Sequence, residues 1–133
     1  MPKRTEDRRI LVVEDEALVA MLLDDMLGAL GYGVAGPVGT LDAALAAVER
    51  EPPDAALLDI NLHGRTVYSV AEALAARAIP FAFVTGYDRS GVSAAWRDHP
   101  MLEKPFRQAA LGRLLDELLD GRARAAKPRP RDG

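Results

Sequence analysis

Apolar and polar positions alternate along this chain in two rhythms. Short unbroken apolar runs, Ile10-Val13, Ala55-Leu58, Phe81-Val84 and Met101-Leu102, carry no polar residue until their last position is passed. Runs of that kind predict strands of a parallel sheet covered on both faces. Between them the spacing becomes helical. Val19, Leu22, Leu23, Met26, Leu27 and Leu30 recur at the three-to-four-residue interval of one helix face, with Asp24 and Asp25 opposite and Gly31 as the stop. Tyr32-Val38, broken by Gly33, Gly36 and Pro37, reads as a weaker strand at a sheet edge. Thr40 or Asp42 caps a second helix through Glu49, which Pro52-Pro53 ends. After a loop with Gly64, the residues Val67, Val70, Ala71 and Leu74 share a third helix face. Gly86-His99 has two glycines and little apolar stripe, so its helix is expected to be short or mobile. Leu111, Leu114, Leu115, Leu118 and Leu119 mark the last helix, ending before Gly121.

Five strand-then-helix units predict an α/β fold, a doubly wound parallel five-stranded sheet with helices on both faces. The length of 133 residues suits one domain. Its expected bounds are a flexible segment over 1–8, the folded unit over 9–120 and a disordered basic tail over 121–133.

Composition narrows the function. No apolar run approaches the ~18 residues of a membrane span, and no signal-type stretch follows the charged opening. With no cysteine in the chain, disulfides and thiolate metal sites are excluded, and a cytoplasmic address is the default. The net charge of −3 conceals an uneven layout, because residues 10–119 hold eight basic against sixteen acidic side chains. Such a body repels nucleic acid. The chain has fourteen arginines and three lysines, and of the lysines only Lys104 lies in the body. A compact ammonium at a strand end is something a guanidinium does not imitate.

Candidate chemistry gathers at the ends of the apolar runs, where open α/β sheets collect their ligands. Glu14 and Asp15 follow the first run, Asp59 the second, Thr85 the third and Lys104 the fourth. Glu14-Asp15-Glu16 could simply favour a helix N-terminus. Yet several carboxylates at one spot repel unless a cation neutralises them, and hard oxygen ligands suit Mg²⁺. Asp59 could attack phosphorus and hold the group as an acyl phosphate. Thr85 offers a hydroxyl, and Lys104 a charge for a phosphoryl group. His63 and His99 are expected at the surface, and Trp96 as a packing residue.

The runs VVEDE, LLDINLHG, FVTGY and EKPF together resemble the receiver domains of two-component response regulators, over roughly residues 8–120. The resemblance implies a (βα)5, flavodoxin-like fold and phosphoryl transfer to Asp59 from a sensor histidine kinase or histidine phosphotransfer protein. It implies Mg²⁺ held by Asp15, Asp59 and the backbone carbonyl of Asn61, with Glu14 orienting a metal-bound water. Thr85 would be the switch hydroxyl, Lys104 the phosphate partner, and Lys104-Pro105 a cis bond. Many receivers carry an aromatic switch residue where this chain has Met101. Tyr87 instead follows Thr85, similar to an atypical, often stand-alone subgroup marked by Phe-x-Thr-Gly-Tyr. Phosphorylation is then expected to order Tyr87 and the 86–99 segment.

Three rivals remain. A phosphohydrolase with an aspartyl nucleophile wants a second acid where Asn61 stands. A nucleotide- or flavin-binding module wants a glycine-rich loop after the first strand. A phosphorylation-independent docking module fits the same fold. The expected protein is a single-domain response regulator, monomer or weak homodimer, mainly a phosphoacceptor with its own phosphorylation and dephosphorylation chemistry, switching protein contacts or relaying the phosphoryl group.

Overall fold

The computed structural model describes residues 7–86 and 91–125. Tyr87 and most of both terminal segments lie outside them. Strand β1 (Arg9–Val13) leads to helix α1 (Ala17–Ala29), β2 (Gly33–Val38), α2 (Leu41–Arg50) and β3 (Ala55–Asp59). A small hairpin of β4 (Asn61–Leu62) and β5 (Arg65–Thr66) precedes α3 (Tyr68–Ala76) and β6 (Phe81–Thr85). A three-residue 3-10 helix (Ala94–Trp96), β7 (Met101–Glu103) and α4 (Gln108–Ala125) complete the described chain.

The five long strands form one parallel sheet in the order β2-β1-β3-β6-β7, with β2 at an edge as its glycines and proline predict. Strand alternation divides the core. Ile10, Val12, Ala55, Leu57, Ala82, Val84 and Leu102 face α1 and α4. Leu11, Val13, Ala56, Leu58, Phe81 and Phe83 face α2 and α3. No helix of the described residues is long and apolar enough to cross a membrane.

Local chemistry explains most boundaries. Thr40, rather than Asp42, is the cap of α2, its Oγ1 accepting from the Ala43 N–H at 3.1 Å. Gly31, at φ 92°, stops α1. Its N–H donates to Gly28 and the N–H of Tyr32 to Leu27, so two terminal carbonyls are satisfied.

Four expectations need correction. Leu22, assigned to the buried stripe of α1, is 43% exposed; the seam runs along Ala20, Leu23 and Leu27, about 100° round the helix, with Val19, Met26 and Leu30 half-buried beside it. Val67 precedes α3 instead of lying within it, although it is buried. The last helix does not stop before Gly121: α4 runs through that glycine to Ala125, because one glycine costs about 1 kcal/mol and the following Arg and Ala residues favour helix. Among the described residues the unit after β6 holds 3-10 turns, Ala94–Trp96 among them, and no α-helix, so four α-helices cover the sheet there.

Candidate functional site

In the strand order found here the connections reverse direction between β1 and β3, opening a crevice beyond their carboxyl ends. Glu14 leaves β1 still paired to the sheet, its N–H donating to Val38 at 2.9 Å. Its side chain is buried, and Oε2 accepts from the Glu16 N–H at 3.0 Å. Asp59 ends β3 and Thr85 ends β6, and Asp59 stands beside Val84 in the strand register. Lys104 follows β7, tied by its N–H to the Thr85 carbonyl at 2.8 Å, and its bond to Pro105 is cis.

The side chains converge. Lys104 Nζ lies 3.4 Å from Glu14 Oε1 and 4.0 Å from Asp59 Oδ1. Glu14, Asp15 and Asp59 each bring a carboxylate oxygen within 4.8 Å of the other two. Asp15, Asp59, Asn61, Thr85 and Lys104 all line one open cleft of about 470 Å³, joined by Glu16, His63 and the backbone of Gly64 and Gly86. Thus Glu14, Asp15, Asp59, Asn61, Thr85 and Lys104 are brought together, and Tyr87 lies outside the described residues.

Three carboxylates against one ammonium are electrostatically unbalanced. Burial, then the hydrogen bond and charge of neighbouring Glu14, push the Asp59 carboxyl up to about 7; Lys104 and the Asn61 backbone N–H oppose them without prevailing. A divalent cation would relieve that conflict. The donors fit one: all are hard oxygens, and the single Lys104 ammonium beside Glu14 Oε1 and Asp59 Oδ1 leaves the three carboxylates in charge excess.

Two residues behave differently from expectation. His63 is exposed, as anticipated, yet it sits on the cleft rim, its N–H donating to Asp15 Oδ2 at 2.8 Å and its Nδ1 3.6 Å from the same oxygen. The signal was available: Asn-Leu-His-Gly-Arg-Thr can close a two-residue hairpin at His-Gly. His99 is half-buried rather than on the surface, stacked on Phe81 at 5.2 Å and 5.0 Å from Trp96. Its place ahead of β7 draws it into an aromatic cluster with Tyr68, Phe83 and Trp96, the last packing as anticipated.

A five-stranded parallel sheet of this order with such a crevice is the architecture of a signalling receiver. The chain belongs to the response regulator receiver domain family, matching it over residues 10–116. It is 46% identical to SdrG from Sphingomonas melonis Fr1, whose solution structure superposes with a TM-score of 0.78, covering 87% of this chain and 99% of that one. A second SdrG structure shows a beryllofluoride-activated conformation. The receiver domain of sensor histidine kinase PA1611 from Pseudomonas aeruginosa PAO1 is 29% identical with a TM-score of 0.75, over 86% of this chain and 98% of that one. That structure holds a magnesium ion in its active-site cleft. The transcriptional regulatory protein PdtaR from Mycobacterium tuberculosis is 32% identical over 103 residues, 74% of this chain and 50% of PdtaR. The chain therefore spans about half the length of that relative.

Proposed function

We propose that the domain accepts a phosphoryl group on Asp59 from the phosphohistidine of a sensor kinase or phosphotransfer protein, and that the acyl phosphate switches its protein contacts or passes the group on. The observation carrying this reading is the convergence of Glu14, Asp15, Asp59 and Lys104 within a few ångströms at the ends of separate strands. An Asp59 carboxylate oxygen forms a bond to phosphorus as the bond to the donor imidazole nitrogen breaks, and the imidazole leaves neutral. Lys104 and the Thr85 hydroxyl hold the equatorial oxygens of the transferring group. Asp15, Asp59 and the Asn61 carbonyl would hold Mg²⁺, with Glu14 orienting one of its waters; the ion would supply charge neutralisation for carboxylates and phosphoryl oxygens together. Hydrolysis returns the carboxylate and inorganic phosphate when water attacks phosphorus. This chemistry suits a cytoplasmic protein meeting the cytoplasmic part of its kinase.

The donor's approach is suggested by α1. Directly behind Glu16, which lines the cleft, Leu18, Met21 and Leu22 are 79%, 61% and 43% exposed, the large exposed apolar side chains of the described residues. An apolar patch beside a reactive cleft fits a helix that delivers a phosphohistidine.

Beryllofluoride, which stands in for a phosphoryl group on a carboxylate, tests the reading without a kinase. With Mg²⁺ present, backbone amide NMR should show saturable shifts around Asp59, Thr85 and Lys104 that vanish in Asp59→Asn. Leu18→Asp should keep those shifts while slowing transfer from a phosphorylated donor protein more than about tenfold. No shift in the wild type at saturating Mg²⁺ would sink the phosphoacceptor role and favour a docking module independent of phosphorylation.

A further inference from the structure

His63 occupies a backbone position that the turn reserves for residues tolerant of positive φ. The β4–β5 hairpin closes through His63 and Gly64, at φ 49° and 81°, a two-residue turn of the I′ type in which Asn-Gly is the favoured pair. Histidine tolerates the left-handed region better than most residues, but asparagine or glycine serves the turn equally. What the histidine adds is a ring on the rim of the acidic cleft. Its side chain remains 66% exposed while Nδ1 lies 3.6 Å from Asp15 Oδ2. The backbone N–H already secures Asp15 at 2.8 Å, so the ring is not required to hold the carboxylate in place.

We propose that His63 is an additional, nitrogen-donating metal ligand, which gives this cleft a preference for borderline transition-metal ions over Mg²⁺. The inference rests on the reading of Glu14, Asp15 and Asp59 as the cation site. Ligands bound to one ion at about 2.0–2.2 Å sit roughly 3 Å from each other, so a small side-chain rotation from the observed 3.6 Å brings Nδ1 and Asp15 Oδ2 to a common ion. The carboxylates of Glu14, Asp15 and Asp59 form one cluster of hard donors within 4.8 Å of one another, and the exposed His63 ring would join it by turning toward Asp15. Carboxylates alone suit Mg²⁺ and Mn²⁺, whereas imidazole raises affinity for Ni²⁺, Cu²⁺ and Zn²⁺. A ring that merely hydrogen-bonds Asp15 would affect every divalent ion alike.

Calorimetric titration of the full chain with MgCl₂ and with NiCl₂ at pH 8, where competing protons are few, separates the two roles. The variants are His63→Asn, which keeps the left-handed turn, and Asp15→Asn. In His63→Asn the Ni²⁺ affinity should fall about tenfold or more while the Mg²⁺ affinity stays within about threefold. An unchanged ratio of the two affinities, or a parallel fall in both, would overturn the inference while leaving the cation site intact. Failure of Asp15→Asn to weaken either ion would overturn the cation site itself, and the role of His63 with it.

Discussion

The two faces of the sheet are closed by different means. Under α1 and α4 the buried filling is aliphatic, with Tyr32 and Phe106 only partly buried at its margin: Leu23 and Leu27 meet Leu111, Leu114, Leu115, Leu118 and Leu119 across Ile10, Val12, Leu57 and Val84. On the other face, among the described residues, two α-helices, α2 and α3, stand beside a 3-10 helix of three residues, and aromatic rings fill the core beside it. Phe81, Phe83, Tyr68, Trp96 and His99 make all the ring–ring contacts among the described residues. Leucine stripes close a face through long-range helix docking, whereas the rings close it through large, flat surfaces brought together over one short segment. Strand alternation gives the contrast a functional side. Phe81, Phe83 and Thr85 project toward the same face of β6, so the candidate switch hydroxyl lies in line with the aromatic face.

The comparison breaks most visibly through two truncations. Leu115→Ala opens a cavity at a fully buried position on the aliphatic face and should cost about 2–5 kcal/mol of global stability. Trp96, half-buried, is expected to cost about 1–2 kcal/mol as Trp96→Ala, because part of its surface already meets water. Urea unfolding measures the first difference and native-state hydrogen exchange the second. Leu115→Ala should lower protection throughout the sheet, and Trp96→Ala chiefly at residues 92–99 and β7. Equal global losses would show that the rings belong to the same cooperative unit as the leucines.

The cleft joins the two faces, and its effect on stability has a definite sign. Asp59 ionises near 3.8 unfolded and about 7 folded, so between those values the metal-free folded state binds more protons than the unfolded one. Stability therefore falls as pH rises from about 4 to about 7 and is flat in this respect above it. Denaturant titrations of metal-free protein at pH 5 and pH 8 should show a loss on the order of 1 kcal/mol, after allowance for solvent screening, that Asp59→Asn lacks and that Mg²⁺ restores at pH 8. A wild-type gain in stability over that interval, relative to Asp59→Asn, would contradict the crowding of carboxylates around Asp59.

What could be read from the sequence follows the same division. The apolar strand runs and the leucine spacing of α4 are signals that solvent exclusion writes directly, and strand ends then place Glu14, Asp15, Asp59, Thr85 and Lys104 at one crevice. Helix α1 was harder, since Leu18, Met21 and Leu22 add apolar residues that the sheet does not cover, so periodicity alone blurs its seam. The aromatic face was harder still. Trp96 and His99 lie in a segment without periodicity, and ring stacking depends on distances between α3, β6 and the 3-10 helix that no local pattern records. The sequence around His63 marks a turn and no more, because the return of the hairpin onto Asp15 is a tertiary fact.

The smallest expected effect asks what holds the short segment to α3. Tyr68 stacks on Trp96 with ring centroids 6.2 Å apart and planes within 6°, and its hydroxyl accepts from the Ser93 N–H at 3.0 Å. Tyr68→Phe deletes the hydrogen bond and keeps the stack. Because that bond is exposed, water replaces it readily, and the expected cost is at most about 0.5–1 kcal/mol. The Ser93 amide should exchange severalfold faster, with Trp96 fluorescence unchanged. If Ser93 exchange stays as slow as in the wild type, the stack alone anchors the segment, and the aromatic face closes by surface contact as the aliphatic one does. If Trp96 fluorescence shifts as well, the hydroxyl orients the ring, and a single polar atom on α3 governs the segment that follows Thr85.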